Sequence, residues 1–187
     1  MARPLALVTG VGRTVGIGAA VARRLADSGW DLVLTHWTPY DLRMEWGVER
    51  GATEAILVAV NARASWLLVR EYGRRFTGVH GTGRVVALTS DHTVGNLPYG
   101  ASKGALDRIT LAAAHEFAHL GVTANVVDPG PVDTGWMSEE LREEVVRRTP
   151  LGRLGTPRDA AHLVDFLCSP GGQWVNGQSL TADGGLV

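Results

Sequence analysis

The sequence has 187 residues, close to the size of one ordinary domain and too few for two well-formed cores. Hydrophobic residues make up 45% of it, charged residues 20%, and the formal net charge is −1. This balance gives no electrostatic basis for binding nucleic acid or an anionic membrane. Glycine is unusually frequent, with 24 residues, where typical usage is roughly 7%. We expect a single domain over residues 1–187, in which the glycines serve backbone geometry at particular places.

Cysteine usage and apolar runs bear on the cellular compartment. The lone Cys168 cannot form an internal disulfide, so nothing indicates an oxidising compartment. The apolar run over residues 5–8 stops too early for a signal peptide and is interpreted as a strand. No stretch approaches the roughly 18 apolar residues of a membrane span, and the scattered histidines indicate no metal site. We expect a soluble cytoplasmic protein.

The beginning of the chain predicts a strand, a glycine-rich loop, a helix and a second strand. Residues 4–9 and 31–35 are short apolar runs typical of buried parallel strands. Between them, the loop over residues 10–18 leads into a helix that begins near Ile17 and ends at Ser28 and Gly29. This order forms a βαβ unit, whose crossover is right-handed by default.

The remainder of the chain continues the alternation of helices and strands. Residues 36–51 are interpreted as a loop, and residues 52–76 as mostly helical, with a strand over 56–60 as the weaker alternative. A turn over 78–83 and a strand over 84–89 follow, then a helix over 99–120 closed by Gly121 and a strand over 122–127. Residues 138–148 predict a charged helix capped by Ser138, with Leu141 and Val145 inward. The last predicted elements are a helix from Pro157 to about residue 168 and a strand over 178–182. The pattern predicts an α/β fold with a mainly parallel sheet, in which ligands bind beyond the carboxyl ends of the strands.

A glycine-rich loop follows the first predicted strand and reads TGVGRTVGIG over residues 9–18. Such a turn brings backbone N–H groups and a helix N-terminus up to a pyrophosphate. Glycine is needed there because a Cβ would collide or forbid the dihedral angles. The position of the loop inside a βαβ unit favours nucleotide binding over a merely tight turn.

Tyr99 and Lys103 are four residues apart in a predicted helix and therefore share one face. A nearby ammonium favours the ionised phenol and lowers a pKa that is ordinarily about 10, which suits Tyr99 to act as an acid near neutral pH. The alternative is a surface tyrosine stacked on a lysine stem. Ser90 ends the preceding predicted strand, so three polar groups converge at the mouth of the sheet.

Together these motifs resemble the short-chain dehydrogenase/reductase family, most closely its 3-oxoacyl-acyl-carrier-protein reductase group. The resemblance runs from end to end of the chain and keeps the family's motif order. Beyond the residues already named, it rests on NVVDPGPVDT at 125–134, PLGRLGTP at 150–157, GQ at 177–178 and DGG at 183–185. It implies a Rossmann-type doubly wound sheet, a substrate lid over about residues 134–156, and hydride transfer between NADP(H) and a ketone or secondary alcohol, with a 3-oxoacyl compound as one candidate.

The resemblance also implies a role for each site residue. Tyr99 would donate a proton to the substrate carbonyl, Lys103 would bind the nicotinamide ribose and lower the Tyr99 pKa, and Ser90 would orient the carbonyl. Asn61 is similar to the family asparagine that holds a water in the proton relay, with a helix-kinking polar residue as the alternative. Besides Tyr99 and Lys103, the implied cofactor contacts are Gly10, Gly12, Arg13, Gly16, Ile17, Gly18, His36, Pro129, Gly130, Val132 and Thr134.

The cofactor preference depends on the end of the second predicted strand. That strand ends at Thr35 and His36, without the acidic residue that accepts the adenosine ribose hydroxyls of NAD. Arg13 could pair with a 2′-phosphate, so NADP(H) is favoured over NAD(H), with a solvated Arg13 as the alternative. The partners implied are a small carbonyl substrate, free or carrier-bound, and further copies of the chain in a homodimer or homotetramer, through the helices at Asn61 and Tyr99.

The chain departs from the family between Gly47 and Val60, where family members carry a third strand, a helix and a fourth strand. Deleting the fourth strand would leave its neighbours about 9 to 10 Å apart, whereas paired strands lie about 4.8 Å apart. The sheet must close up, borrow a strand or use residues 56–60, unless the sequence omits residues of the natural protein. The rival functions are a catalytically impaired nucleotide-binding or scaffold protein, and an epimerase or dehydratase using the same Tyr and Lys.

Overall fold

The strands of the protein pair in parallel. The computed structural model describes residues 3–36, 57–91, 95–135 and 137–186. The described strands are β1 (Leu5–Val8), β2 (Asp31–Leu34), β3 (Gly83–Leu88), β4 (Val122–Asp128) and β5 (Ser179–Thr181). Within these ranges β1 pairs with β2, while β3, β4 and β5 form a three-stranded sheet in that order. The predicted α/β class is confirmed, and it is that of a truncated Rossmann-type fold.

Helices alternate with these strands along the chain. They are α1 (Ile17–Asp27), a π-helical segment (Val58–Ala64) that runs into α2 (Ser65–Arg75), α3 (Leu97–Glu116), α4 (Glu139–Arg148) and α5 (Pro157–Cys168). Two short 3-10 turns follow α3 and α5, at Ala118–Leu120 and Pro170–Gly172. Apart from the alternative strand over residues 56–60, each predicted strand, and each predicted helix in the described residues, is confirmed to within a few residues of its ends.

Of the two interpretations of residues 56–60, the helix is confirmed and the alternative, a substitute strand, is wrong for the part that the structure describes. Residues 57–60 are helical and continue directly into α2. The alanines at 59, 62 and 64 favour a helix there. Since the described strands form two sheets, the expectation that one sheet closes up is not met within them. Apart from His36, the predicted loop over residues 36–51 lies outside the described residues.

The chain divides into two compact units. Unit 1 consists of Met1–Gly47, Pro129–Asp165 and Ala182–Val187, and unit 2 consists of Val48–Asp128 and Phe166–Thr181. The β1–β2 pair belongs to unit 1, and the three-stranded sheet belongs to unit 2. That residues 1–187 form a single domain stays a prediction.

The core of unit 2 is built around β4, whose seven residues are all buried. Ala113 and Ala114 of α3 pack with Ala124 of β4, and the small side chains allow the helix and the strand to approach closely. Val69, Val85 and Phe117 pack against this cluster. The close packing holds β4 against α3.

The sequence predicts β1 and β2 to be buried, and this prediction is wrong. Leu5 and Leu7 of β1 are 66% and 52% exposed, and Val33 and Leu34 of β2 are 47% and 49% exposed. Each strand has one described neighbour in its sheet, and within unit 1 the helix that packs on both is α1. One helix covers only part of the apolar surface of two strands, so much of it stays open.

The ends of the later helices follow local signals in the sequence. Ser138 caps α4 as predicted, since its Oγ accepts a hydrogen bond from the Leu141 N–H at 3.3 Å. Leu141 itself is 38% exposed, so the prediction that it points inward is wrong. Gly121 ends the 3-10 turn that follows α3, with φ +70°, the left-handed conformation expected of a residue that ends a helical turn. The charges that flank Leu141 keep much of α4 in solvent.

Candidate active site

Tyr99 and Lys103 lie one turn apart on α3, in unit 2. The ammonium nitrogen of Lys103 is 5.7 Å from the centroid of the Tyr99 ring, within the range of a cation–π contact. It donates a hydrogen bond to the backbone oxygen of Leu88 at 2.8 Å. Leu88 is the last residue of β3, so this bond fixes the ammonium at the carboxyl end of the strand. Tyr99 and Lys103 are both half-buried.

Burial lowers the pKa of Lys103 below its ordinary value, because the charged ammonium loses hydration. The carboxylates of Asp107 and Asp128 act in the opposite direction and raise this pKa. Sequence reasoning missed both residues. The spacing of four residues from Lys103 could have found Asp107. Asp128 comes close only because β3 and β4 pair, which the local spacing of residues does not reveal.

Ser90 lies just beyond β3, in a segment that the neighbouring strand holds on both sides. The Thr89 N–H donates to the backbone oxygen of Val127 at 2.9 Å, and the Asp91 N–H donates to Oδ2 of Asp128 at 2.8 Å. Ser90, between them, is half-buried. The end of β4 therefore determines where the backbone of Ser90 lies.

Asn61 lies in the π-helical segment and reaches α3 through one intermediary. Its Nδ2 donates to Oγ of Ser102 at 3.0 Å, and that Oγ donates to the backbone oxygen of Tyr99 at 2.7 Å. Ser102 is 1% exposed, so this polar chain is well enclosed. This arrangement is compatible with Asn61 as the asparagine of the proton relay. It is also compatible with Asn61 as a helix-kinking residue, since a π-helical turn is itself an irregularity of the helix.

The glycine-rich loop of unit 1 is a tight turn in which Gly10 is required by its backbone conformation and Gly18 by the lack of space for a side chain. Gly10 has φ +76°, and a Cβ on Gly18 would lie 3.0 Å from the backbone oxygen of Gly10. The Val11 N–H donates to the backbone oxygen of Thr35 at 3.0 Å, which ties the loop to the end of β2. No described side chain caps α1, and its first turn carries no acidic residue. The loop and the uncapped N–H groups beginning at Ile17 therefore fit a pyrophosphate.

The other predicted cofactor residues of unit 1 lie around this loop and in the segment after β4. Gly12 and Arg13 are exposed, and a Cβ on Gly135 would lie 3.7 Å from the Arg13 guanidinium. Gly16 is tightly enclosed, because a Cβ on it would lie 3.3 Å from the backbone oxygen of Arg13. His36 follows β2 and is exposed.

The segment over residues 129–134 is held by backbone contacts within unit 1. Gly130 has φ +61°, and a Cβ on it would lie 2.5 Å from the Cβ of Asp183. Val132 is 5% exposed and forms a β-bridge with Gly155. Pro129 is buried and Thr134 is half-buried. The close approach at Gly130 requires glycine for both its conformation and its lack of a side chain.

The predicted lid, residues 134–156, is anchored near both ends. Arg142 of α4 forms an ion pair with Asp133 at 3.3 Å. Beyond α4, the Leu151 N–H donates to the backbone oxygen of Gly184 at 3.2 Å. The structure thus places Tyr99, Lys103, Ser90 and Asn61 in unit 2, and the glycine loop, His36 and residues 129–134 in unit 1.

Metal ligands and membrane-spanning helices are both absent from the described ranges. No group of three or more His, Cys, Asp or Glu side chains could hold a metal ion in the part of the chain that the structure describes. No helix among those residues is long and apolar enough to cross a membrane.

A parallel α/β fold with a glycine loop after its first strand and a Tyr–Lys pair beside β3 defines a dinucleotide-binding class of protein. A family model described as Enoyl-(Acyl carrier protein) reductase matches residues 49–187. The Bacillus subtilis protein "Uncharacterized oxidoreductase YjdA" is 31% identical over 242 aligned residues, which include 98% of this chain and 96% of that protein. The chain belongs to the short-chain dehydrogenase/reductase family, a family of oxidoreductases.

Other relatives are named as reductases. An "NADPH-dependent aldehyde reductase-like protein, chloroplastic" of Arabidopsis thaliana is 37% identical over 69% of this chain and 50% of its own length. A 3-oxoacyl-(acyl-carrier-protein) reductase, FabG, of Rickettsia conorii is 32% identical over 70% of this chain and 57% of its own length. The chain thus spans about half the length of these two relatives. The alignment with the Bacillus protein covers more positions than this chain has residues, so that relative carries internal residues that this chain lacks.

Proposed function

We propose that the chain reduces a ketone, or oxidises the matching secondary alcohol, with NADP(H). The observation that carries the proposal is the Lys103 ammonium, enclosed beside the Tyr99 ring and fixed to the carboxyl end of β3 through Leu88. When bound, the nicotinamide cofactor supplies the hydride. The protein supplies the position of the substrate and an acid, the Tyr99 hydroxyl.

Each site residue has a proposed role. The Tyr99 hydroxyl donates a proton to the carbonyl oxygen of the substrate, and Ser90 hydrogen-bonds the same carbonyl to orient it. The Lys103 ammonium has three N–H donors, of which the Leu88 oxygen takes one, so two remain for Tyr99 and the nicotinamide ribose. Asn61 holds a water that passes protons toward Lys103.

The proposed cofactor residues are those of the glycine loop, the end of β2 and the segment after β4. They are Gly10, Gly12, Arg13, Gly16, Ile17, Gly18, His36, Pro129, Gly130, Val132 and Thr134. The absence of an acidic residue at Thr35 and His36 supports NADP(H) over NAD(H), as does the NADPH in the name of the Arabidopsis relative.

The remaining parts of the proposal concern substrate, assembly and location. The FabG relative supports a 3-oxoacyl substrate, free or carrier-bound, with residues 134–156 as its lid. Homo-oligomerisation would use the helices at Asn61 and Tyr99. The single Cys168, which can form no internal disulfide, supports a cytoplasmic location.

The test combines cofactor binding with turnover. Tryptophan fluorescence is titrated with NADPH and NADH, and turnover is measured on a panel of ketones that includes a 3-oxoacyl thioester. Tyr99→Phe should keep NADPH binding and lose activity by about 100-fold or more, because it lacks the proton donor. Tyr72→Phe is the matched control, because it also removes a tyrosine hydroxyl from unit 2, one that accepts a hydrogen bond from the Arg84 N–H and has no role in the proposed reaction. This control should keep its activity. Equal activity in wild type and Tyr99→Phe would contradict the assignment of the acid.

The second candidate is a nucleotide-binding or scaffold protein without turnover. The exposed apolar side chains of β1 and β2 favour it, because family enzymes bury such strands on both faces. NADPH binding without turnover on any ketone of the panel would support this candidate. The intact mass of the purified natural protein, compared with that calculated from the sequence, would show whether the chain is internally short in the cell.

A further inference from the structure

We propose that Asp107 and Asp128 are positioning residues that keep Lys103 in its ammonium form, Asp107 from the same face of α3 and Asp128 from the end of β4. This inference rests on the proposed function, in which the Lys103 ammonium acts on Tyr99. Neither carboxylate has a role in that function, although Asp128 lies within the segment over residues 125–134. Both lie in unit 2, as Lys103 does.

Lys103 needs a counter-charge because its surroundings desolvate it. The hydrogen-bond acceptor that the structure gives its ammonium is the neutral backbone oxygen of Leu88. Taking an ammonium out of water without a nearby anion is costly, and such a group then loses its proton. Burial lowers the pKa of Lys103, whereas Asp107 and Asp128 raise it. The two carboxylates therefore offset part of the cost of burial.

Asp107 lies one helical turn beyond Lys103 on α3. Its Oδ1 is buried and has no hydrogen-bond partner among the described residues. A carboxylate oxygen in that condition is destabilising unless a cation lies close to it. The spacing of four residues places the Lys103 ammonium on the same face of α3, where Asp107 raises the pKa of Lys103.

Asp128 is held in position by the chain that follows β3. It is 7% exposed, and its Oδ2 accepts a hydrogen bond from the Asp91 N–H at 2.8 Å. Leu88 and Val127 are partners in the β3–β4 register, so Asp128 lies one residue beyond the level of the oxygen that binds Lys103. Strand pairing thus brings a fixed carboxylate to the same end of the sheet as the ammonium.

The titratable and charged groups that lie around Lys103 belong to α3, to the end of β4 and to the segment after β3. Tyr99 and Asp107 lie on α3, Asp128 ends β4, and Asp91 follows β3 with an exposed side chain. Asp91 acts here through its backbone N–H, which binds Asp128. The two carboxylates that act on the ammonium are therefore Asp107 and Asp128.

Lys103 is the one lysine in the sequence, since the other basic residues of the Lys and Arg total are arginines. Arginine stays charged in proteins, whereas lysine changes its protonation state when its surroundings change. The composition also provides a direct measurement. Lysine labelled with ¹³C at Cε gives one resonance in the full chain, and its titration reports the Lys103 ammonium without any activity assay.

The test follows that resonance with pH in the wild type and in Asp107→Asn and Asp128→Asn. Both substitutions are isosteric, and in Asp128→Asn the amide oxygen could still accept the Asp91 N–H. The midpoint should move to lower pH in each variant, because the ammonium loses an anion that stabilises it. Glu116→Gln is the matched control, an exposed carboxylate at the end of α3, and should titrate as the wild type does. Identical midpoints in the wild type and both Asn variants would overturn the proposal.

Two further measurements separate this role from a merely structural one. Asp107→Glu keeps the charge and should restore most of the wild-type midpoint; a midpoint equal to that of Asp107→Asn would overturn the role of Asp107. If an Asn variant does not fold by circular dichroism, the Ser variant at the same position, which also removes the charge, takes its place, and a wild-type midpoint in that variant would overturn the proposal.

Activity provides the functional readout. In the Asn variants the alkaline limb of kcat/KM for NADPH-dependent ketone reduction should move to lower pH, with about a three- to tenfold loss at pH 9 and a smaller loss at pH 7. A loss of equal size at every pH would indicate a structural effect and contradict the proposal. Absence of turnover in the wild type would refute the proposed function, while the lysine titration would still decide this inference.

Discussion

Two strands with similar apolar runs have different surroundings in this protein. Every residue of β4 in unit 2 is buried, whereas β1 in unit 1 exposes Leu5 and Leu7. β4 lies between β3 and β5 and packs against small side chains of α3, while β1 has β2 as its strand neighbour in the described residues. An apolar run therefore predicts a strand, and the neighbours of that strand decide whether it is buried.

The same difference bears on the candidate catalytic residues. The end of β4 fixes Asp128, and the end of β3 fixes the Lys103 ammonium through Leu88. Side chains held by buried strands keep their geometry better than side chains on exposed loops. In unit 1, by contrast, one backbone hydrogen bond between Val11 and Thr35 ties the glycine loop to the end of β2.

The largest expected loss of stability comes from replacing Asn125 of β4, in the buried sheet. Its Nδ2 donates to the Val175 oxygen at 2.8 Å, and its Oδ1 accepts from the Gln178 N–H at 3.0 Å. Asn125→Ala should lower the free energy of unfolding by about 3 kcal/mol, because it leaves two backbone groups without partners. The measurement is urea denaturation followed by circular dichroism.

The control for that substitution is Asn96→Ala. Asn96 is exposed, precedes α3 and makes no capping hydrogen bond with its side chain, so its loss should cost less than about 1 kcal/mol. Similar losses for both alanine variants would show that the loop before β5 does not depend on Asn125.

Alanine substitutions in β4 and β1 should give losses of stability of intermediate size and compare the two strands directly. Val126 of β4 is 0% exposed and Leu7 of β1 is 52% exposed. Val126→Ala should cost about 2 kcal/mol, since it removes buried methyl groups and leaves a cavity. Leu7→Ala removes a larger side chain yet should cost less than about 1 kcal/mol, because much of that side chain is already in water. A larger loss for Leu7→Ala would mean that β1 is covered in solution.

Much of the fold could be predicted from local signals. Gly121 ends the 3-10 turn after α3, Ser138 caps α4 and Pro157 begins α5, because each signal acts within a few residues of where it lies. The facing of Tyr99 and Lys103 follows in the same way from helical periodicity. Local physics alone is enough for such features.

Features that depend on distant parts of the chain were not predictable. The exposure of β1 and β2 depends on which strands and helices cover them, and that depends on residues far away in the sequence. Asp128 affects Lys103 through the pairing of β3 with β4. For residues 57–60 the predicted helix is confirmed and the alternative strand is wrong; the sequence leaves both open because a short apolar run fits both periods.

The N-terminus of α5 provides the smallest expected effect and tests whether unit 1 depends on its helix caps. The Thr156 N–H donates to Oδ2 of Asp159 at 2.8 Å, the Asp159 N–H donates to Oγ1 of Thr156 at 3.3 Å, and Arg153 donates to both Asp159 oxygens. These bonds, that of Arg153 first, hold the pKa of Asp159 well below its ordinary value. A carboxylate whose pKa is lower in the folded chain stabilises it above the unfolded pKa, and this is lost as pH falls through the folded value.

Asp159→Asn should therefore lower the free energy of unfolding by about 1 kcal/mol at pH 7, a modest amount because the side chain is about a third exposed. The difference from wild type should shrink as the pH falls below about 4, where the wild-type carboxylate begins to lose its advantage. Urea denaturation at several pH values measures both. Asp27→Asn at the exposed end of α1 should change stability by less than about 0.5 kcal/mol. A loss in Asp159→Asn that stays constant down to pH 3 would mean that packing, not charge, makes this cap stabilising.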